Sequence, residues 1–344
     1  MLVSGWRSAM ISRSVGGMDR YHRGGRFSKT ARGLLSAFIL SLPWAGKGAS
    51  VDYGGPVSDL ICIEGKPFAV SPAGISQGTG EGASLVWRSG TRLFSLAELP
   101  IGSDPTLVVG GGEPGVSGEI GVFRHSSSEI RFLTVSSDLI YDLDCDPRGR
   151  RVAYGCADGT VLLGGFTEEG LLEPSSRYKH TAPVRAVEFS ANGRYLASAG
   201  LDGLVLVLDL DTEASPLVLH DHSDKVECLM FTPDSSFLIS GARDGRVRVH
   251  SVNGRLIRSY AKLGDIRSGG AWPRVQGVLS LTFVGTPPSI IAGTSRGGLF
   301  RLSVESVETA PLDRLNQPIT ALAFDSALFV GSGEVRSFDI TKIK

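Results

Sequence analysis

Histidine, serine and aspartate at fixed intervals are the side chains of a nucleophilic triad, in which an imidazole takes a hydroxyl proton and a carboxylate holds the imidazole in place. The chain presents such a set at His180, Ser198 and Asp202, and again at His222, Ser240 and Asp244. The two sets are offset by 42 residues, and Val184 with Val226, Phe189 with Phe231 and Gly203 with Gly245 keep the same offset. A catalytic centre has no reason to be written twice at one period. Ser198 and Ser240 also fall inside strand-like runs, with no strained turn to expose a nucleophile. The sets are therefore read as turn-holding residues of a repeated unit. Asp158, in an Asp-Gly pair 44 residues ahead of Asp202-Gly203, is read with them.

Other stretches invite chemistry and then lack a part of it. GGGEPGVSGEIG, from Gly110, has glycine spacings suggestive of a phosphate loop. It lacks the Lys-Ser/Thr ending and a following helix to supply the dipole, so it reads as a flexible turn between strands. Asp142, Asp144 and Asp146 alternate along a strand and its following turn. The Gly and Glu of a calcium loop do not follow at the required places, and the three read as a solvated face. Cys62, Cys145, Cys156 and Cys228 show no metal or haem spacing. Cys145 and Cys228 read as small hydrophobes on first strands, with a Cys145–Cys156 bridge as the alternative. No metal and no cofactor is expected.

The elements that position these residues are strands. VRAVEF alternates apolar and polar side chains, Asn192-Gly193 marks a hairpin, YLASAG is a second strand, and LVLVLDL a third, apolar enough to be covered on both faces. A repeat of roughly 40–45 residues built this way is the signature of a β-propeller blade. The unit also resembles the WD repeat. In that family a His before the first strand, a Ser or Thr in the second and an Asp in the next turn form a hydrogen-bonded network ending on a Trp in the third strand. The resemblance implies this network for both copies here, with Leu208 and His250 standing in the Trp position. Leu208-Asp209 and Phe338-Asp339 come nearest the Trp-Asp pair that names the family.

Counting units predicts an all-β chain, a single seven-bladed propeller of four-stranded antiparallel blades over 51–344. The expected blades cover about 57–97, 98–137, 138–176, 180–219, 222–261, 262–310 and 314–344. In the first, SLVWRSG and TRLFSLAEL follow the second strand, with Trp87 on the third. The ring must close because a lone blade cannot bury both faces, and SVDYGGPV is expected to add the outer strand of the last blade.

The first fifty residues differ in kind. They hold eight Lys or Arg and one acid, Asp19, and GLLSAFILSLPW is followed by small residues. A basic segment, a short apolar run and a small-residue site are the parts of a signal peptide, with cleavage expected after Ser50 and translation possible from Met18. The run is too short for a membrane-spanning helix, which needs about 20 residues. Export to the periplasm or the extracellular space is expected, with an organellar transit peptide or an uncleaved anchor as alternatives. Without the leader, 27 basic and 34 acidic residues leave a net charge of −7. That balance lacks the basic footprint of a nucleic-acid binder.

The expected function is a non-catalytic protein-interaction scaffold with an unidentified protein partner, engaged through loops on a propeller face. The candidate surface is the 262–276 loop with Arg267, Trp272 and Arg274, flanked by Arg243 and Arg296. The alternatives are a small-ligand-binding protein or an enzyme on a propeller frame, such as a lactonase, glycosidase or quinoprotein-like oxidoreductase. Only six His are present, and too few polar groups remain for metal-assisted chemistry.

Overall fold

The computed structural model describes residues 55–100, 106–124, 130–167, 170–171, 175–212, 214–264, 276–285, 288–304, 306–325 and 327–339. Residues 1–54, His125 and the loop carrying Arg267, Trp272 and Arg274 lie outside them. Seven antiparallel sheets follow one another along the chain, each entered by its innermost strand. These inner strands are Asp59–Ile63, Leu93–Leu99, Ile140–Cys145, Val184–Phe189, Val226–Phe231, Val278–Val284 and Ala321–Phe324. The protein is a seven-bladed β-propeller of four-stranded antiparallel blades. The third blade carries an extra two-residue ribbon, and the seventh shows three strands among the described residues. One 3-10 turn, Gly80–Gly82, is the only helical element described. No helix among the described residues is long and apolar enough to cross a membrane.

The core lies between blades rather than within them. Seven apolar clusters each join side chains of two neighbouring blades, such as Ala153, Val161 and Leu163 of the third with Val184, Val187 and Phe189 of the fourth. Val57, Leu60 and Cys62 of the first blade pack with Ala321, Ala323 and Phe329 of the seventh, which closes the ring. At these contacts a β-branched residue at the head of one inner strand sits over a glycine in the second strand of the blade before. A Cβ added to Gly155 would lie 2.4 Å from Val184 Cγ1, and one added to Gly331 would lie 2.8 Å from Val57 Cγ1. Gly241 with Val278 and Gly293 with Ile319 repeat the arrangement. A side chain there would hold the blades apart.

Several expectations change. Leu93–Leu99 is the inner strand of the second blade, paired with Thr106–Glu113, and not the end of the first. Trp87 lies on the outer strand of the first blade and packs against Phe132 of the second, 5.6 Å between ring centres. The outer strand of the sixth blade runs to Arg314, four residues past the expected limit. Of SVDYGGPV, expected to add the outer strand of the last blade, only 55–57 are described: Val57 donates its N–H to Ser332 O and leads into the first inner strand, and the rest of that expectation lies outside the described residues. Gly110–Gly112 are strand residues, because a side chain at Gly110 would strike Leu143, and the turn is confined to 114–116. None of the four cysteines forms a disulfide, so Cys145 and Cys156 are not bridged.

Asp144 and Asp146 are buried, contrary to the expected solvated face. An innermost strand has one edge with no neighbour, and its buried N–H groups need acceptors. Carboxylates of the blade before supply them. Asp142 Oδ2 accepts from Val187 N and Asp144 Oδ2 from Phe189 N, both at 2.8 Å. Asp59 Oδ2 does the same for Leu96 N at 2.9 Å, and Ser95 Oγ for Leu143 N at 3.1 Å. Asp146 instead holds its own turn through the N–H groups of Arg148 and Arg150 and pairs with Arg151 at 2.7 Å.

Candidate functional site

The repeated polar sets come together as local networks, one per blade. In the fourth blade His180 Nδ1 lies 3.0 Å from Asp202 Oδ2, and Nε2 lies 2.8 Å from Ser198 Oγ. Asp202 also accepts from Thr181 N and Leu204 N, tying the loop before the blade to the turn within it. Burial holds the His180 pKa below its ordinary 6.5, against the opposing pull of Asp202. In the fifth blade His222 Nε2 lies 2.8 Å from Ser240 Oγ, and Nδ1 lies 3.2 Å from Asp244 Oδ2. Burial pushes the Asp244 carboxyl up, but the Arg248 guanidinium and the Arg246 N–H bonded to it help to outweigh that and hold the group well below the usual carboxylate range. Asp158 has no histidine; it accepts from Thr160 N and Thr160 Oγ1 at 2.8 Å, with Lys179 at 3.5 Å.

The third-strand positions do not complete these networks in the implied way. His250 stands opposite Leu238 in the ladder and pairs through Nε2 with Asp221 at 2.8 Å, while among the described residues its buried Nδ1 has no hydrogen-bond partner. Burial lowers its pKa despite Asp221. The sixth blade uses Gln276 and Thr294 to tie its turn, Thr294 Oγ1 also holding Gly298 N at 2.8 Å.

A second constellation, absent from the expectations, lies at the mouth of the channel onto which the turns between second and third strands open. In blades two to six, the inner strand skips one residue of its register with the second strand. The skipped residues are Phe94, Tyr141, Arg185, Glu227 and Leu279. A bulge of this kind turns its extra side chain away from the ladder, here toward the mouth. Four of the five touch in series. Phe94 meets Tyr141 edge to face at 5.7 Å, and the Arg185 guanidinium lies 4.6 Å above the Tyr141 ring. Arg185 Nε donates to Glu227 Oε2 at 2.9 Å, and Arg243 Nε donates to Glu227 Oε1. The Glu227 side chain is 2% exposed, whereas Arg185 keeps 33% and Arg243 50%.

Of the residues expected to bind a partner, Arg243 belongs to this arc. Arg296, in the corresponding turn of the next blade, is exposed and is not joined to it among the described residues. Arg267, Trp272 and Arg274 fall in the undescribed loop, whose stem is held beside Arg243 by the Gln276 N to Leu263 O bond and by the close approach of Gly277. The signal that could have found the arc is positional: Tyr141, Arg185 and Glu227 each follow the first apolar residue of an inner strand, at the repeat period. Among the described residues no cluster of three or more His, Cys, Asp or Glu could hold a metal ion.

Comparison with known proteins agrees with this architecture. The family profile "WD domain, G-beta repeat" matches residues 173–209 and 215–251, the fourth and fifth blades. WD repeat, SAM and U-box domain-containing protein 1 of Danio rerio is 30% identical over 118 residues, covering 34% of this chain and 24% of that protein. The probable coatomer subunit beta' of Schizosaccharomyces pombe is 32% identical over 111 residues, covering 31% of this chain and 14% of that protein. The matches thus span a quarter or less of these relatives. The WD40 β-propeller domain of Doa1 superposes with a TM-score of 0.67 at 18% identity, over 85% of this chain and 96% of that one. Seven radial blades, two of them matching the WD-repeat profile and carrying His-Ser-Asp networks at their turns, support a propeller of the WD-repeat type.

Proposed function

We propose that this propeller is a non-catalytic protein-interaction scaffold that docks its partner at the mouth carrying Phe94, Tyr141, Arg185, Glu227 and Arg243. The observation that carries this reading is the contact series itself: five consecutive inner strands aim one extra side chain at the same opening. Tyr and Arg there bring large area and several donors at little ordering cost, because ring stacking and ion pairing already fix their rotamers. The His-Ser-Asp sets do not support an enzyme. His180 and Ser198 are buried and engaged with each other, leaving no room for a substrate carbonyl beside the hydroxyl.

Crosslinking of the full chain in its native host, followed by mass spectrometry, tests the site. Phe94→Ala with Tyr141→Ala should abolish the crosslinked partners while leaving the unfolding midpoint near that of the parent. An unchanged partner set, with loss instead on Leu217→Ser and Ile257→Ser at the outer rim, would move the docking surface there.

Export is proposed from the leader alone. N-terminal sequencing of the mature protein should begin at Val51; a chain starting at Met1 or Met18 would overturn it.

A further inference from the structure

Resting on the docking site above, we infer that the partner presents an acidic side chain next to a bulky apolar one, the carboxylate received by Arg185 and Arg243 and the apolar group by Tyr141 and Phe94. Each arginine gives its Nε–H to Glu227, and among the described residues neither has another hydrogen-bond partner for its terminal Nη groups. Two guanidinium ends therefore face the opening with donors to spare, around one buried carboxylate that keeps their rotamers in place. The group as a whole retains one positive charge. Planar guanidinium ends held in this way match the two oxygens of a carboxylate, and such charge-assisted pairs are the stronger kind of hydrogen bond. Arg185 Cζ also lies 4.6 Å from the centre of the Tyr141 ring, so the cationic end of the arc runs directly into its aromatic end. A ligand that spans both needs an anion and an apolar group side by side. A long polyanion fits less well, because the domain around this patch is acidic overall, with a net charge of −7 over 51–344.

The probe is a fluorescein-labelled peptide containing Glu-Phe-Glu in a Gly-Ser background, titrated with the full chain and followed by anisotropy. Three results are expected. The Gln-Phe-Gln peptide binds on the order of 10-fold more weakly, the amount one charge-assisted pair accounts for. Arg185→Gln with Arg243→Gln loses a similar factor, while Arg185→Lys with Arg243→Lys keeps part of the affinity. Added salt weakens the Glu peptide and spares the Gln one. Equal binding of the two peptides overturns the inference without relying on any variant to fold. So does a single-stranded oligonucleotide that outcompetes the Glu peptide. Absence of peptide binding, with crosslinked partners still lost on Phe94→Ala and Tyr141→Ala, would sink the acidic partner and leave the docking site standing.

Discussion

Arg248 donates from Nη1 to Asp244 Oδ2 at 2.8 Å, where the preceding blade carries Leu206. The same Nη1 also reaches His222 Nδ1. An arginine can only donate, so the Nδ1 facing it is the bare nitrogen, and Nε2–H donates a hydrogen bond to Ser240 Oγ. In the fourth blade the order is reversed: Nδ1–H donates to Asp202, and Nε2 accepts from Ser198. Two repeats with the same His, Ser and Asp thus hold opposite imidazole tautomers, and one residue of the third strand decides which.

It follows that Arg248→Leu should be mild, because His222 can then donate to Asp244 as His180 does to Asp202. A cost of about 1 kcal/mol or less is expected, whereas Asp244→Ala strands a buried guanidinium and should cost ~3 kcal/mol or more. Urea unfolding of the two variants checks this, and equal losses would contradict the tautomer argument.

His180 stays neutral in the folded protein because burial lowers its pKa, while the unfolded chain titrates near the ordinary 6.5. The unfolded state therefore binds more protons below that value, and stability should fall as the pH drops through it. His250 adds to the slope for the same reason. Asp244 acts in a separate window: its depressed pKa contributes stability above the ordinary 3.8 that is lost only in stronger acid. Urea midpoints across these two windows should show two declines. A flat profile around 6.5, or one unaltered by His180→Gln together with His250→Phe, would disprove the assignment.

Asp144→Ala should leave the Phe189 N–H without an acceptor at a buried strand edge, at a cost of about 1–3 kcal/mol. Asp144→Asn keeps an acceptor oxygen and should cost less. Hydrogen exchange gives the direct reading, since the Phe189 amide should lose protection in the first variant and largely retain it in the second. Protection unchanged in both would mean that the carboxylate is not the cap.

Gly331→Ala should strain the contact that closes the ring, at about 1–3 kcal/mol. Val57→Ala, which alone opens a small cavity, should relieve that strain. Thermal unfolding of the single and double variants forms a cycle, and additive losses would show that Val57 and Gly331 are not in close contact.

The sequence by itself determined the strands, the period and the number of blades, because alternation, Asn-Gly and Asp-Gly turns and a His-Ser-Asp set are all local features. It placed His180, Ser198 and Asp202 in one network because their spacing within a repeat leaves the chain little choice. Tertiary structure alone decided what happens between blades. Asp142 reads as a surface carboxylate until Val187, 45 residues further on, brings an unpaired N–H against it. Trp87 and Leu93 fall on strands other than those the alternation suggests, because apolar alternation does not say which blade a strand joins. The arc from Phe94 to Arg243 was equally hidden: a bulge has no side-chain signature of its own, and its residues meet only once four blades have turned about one axis.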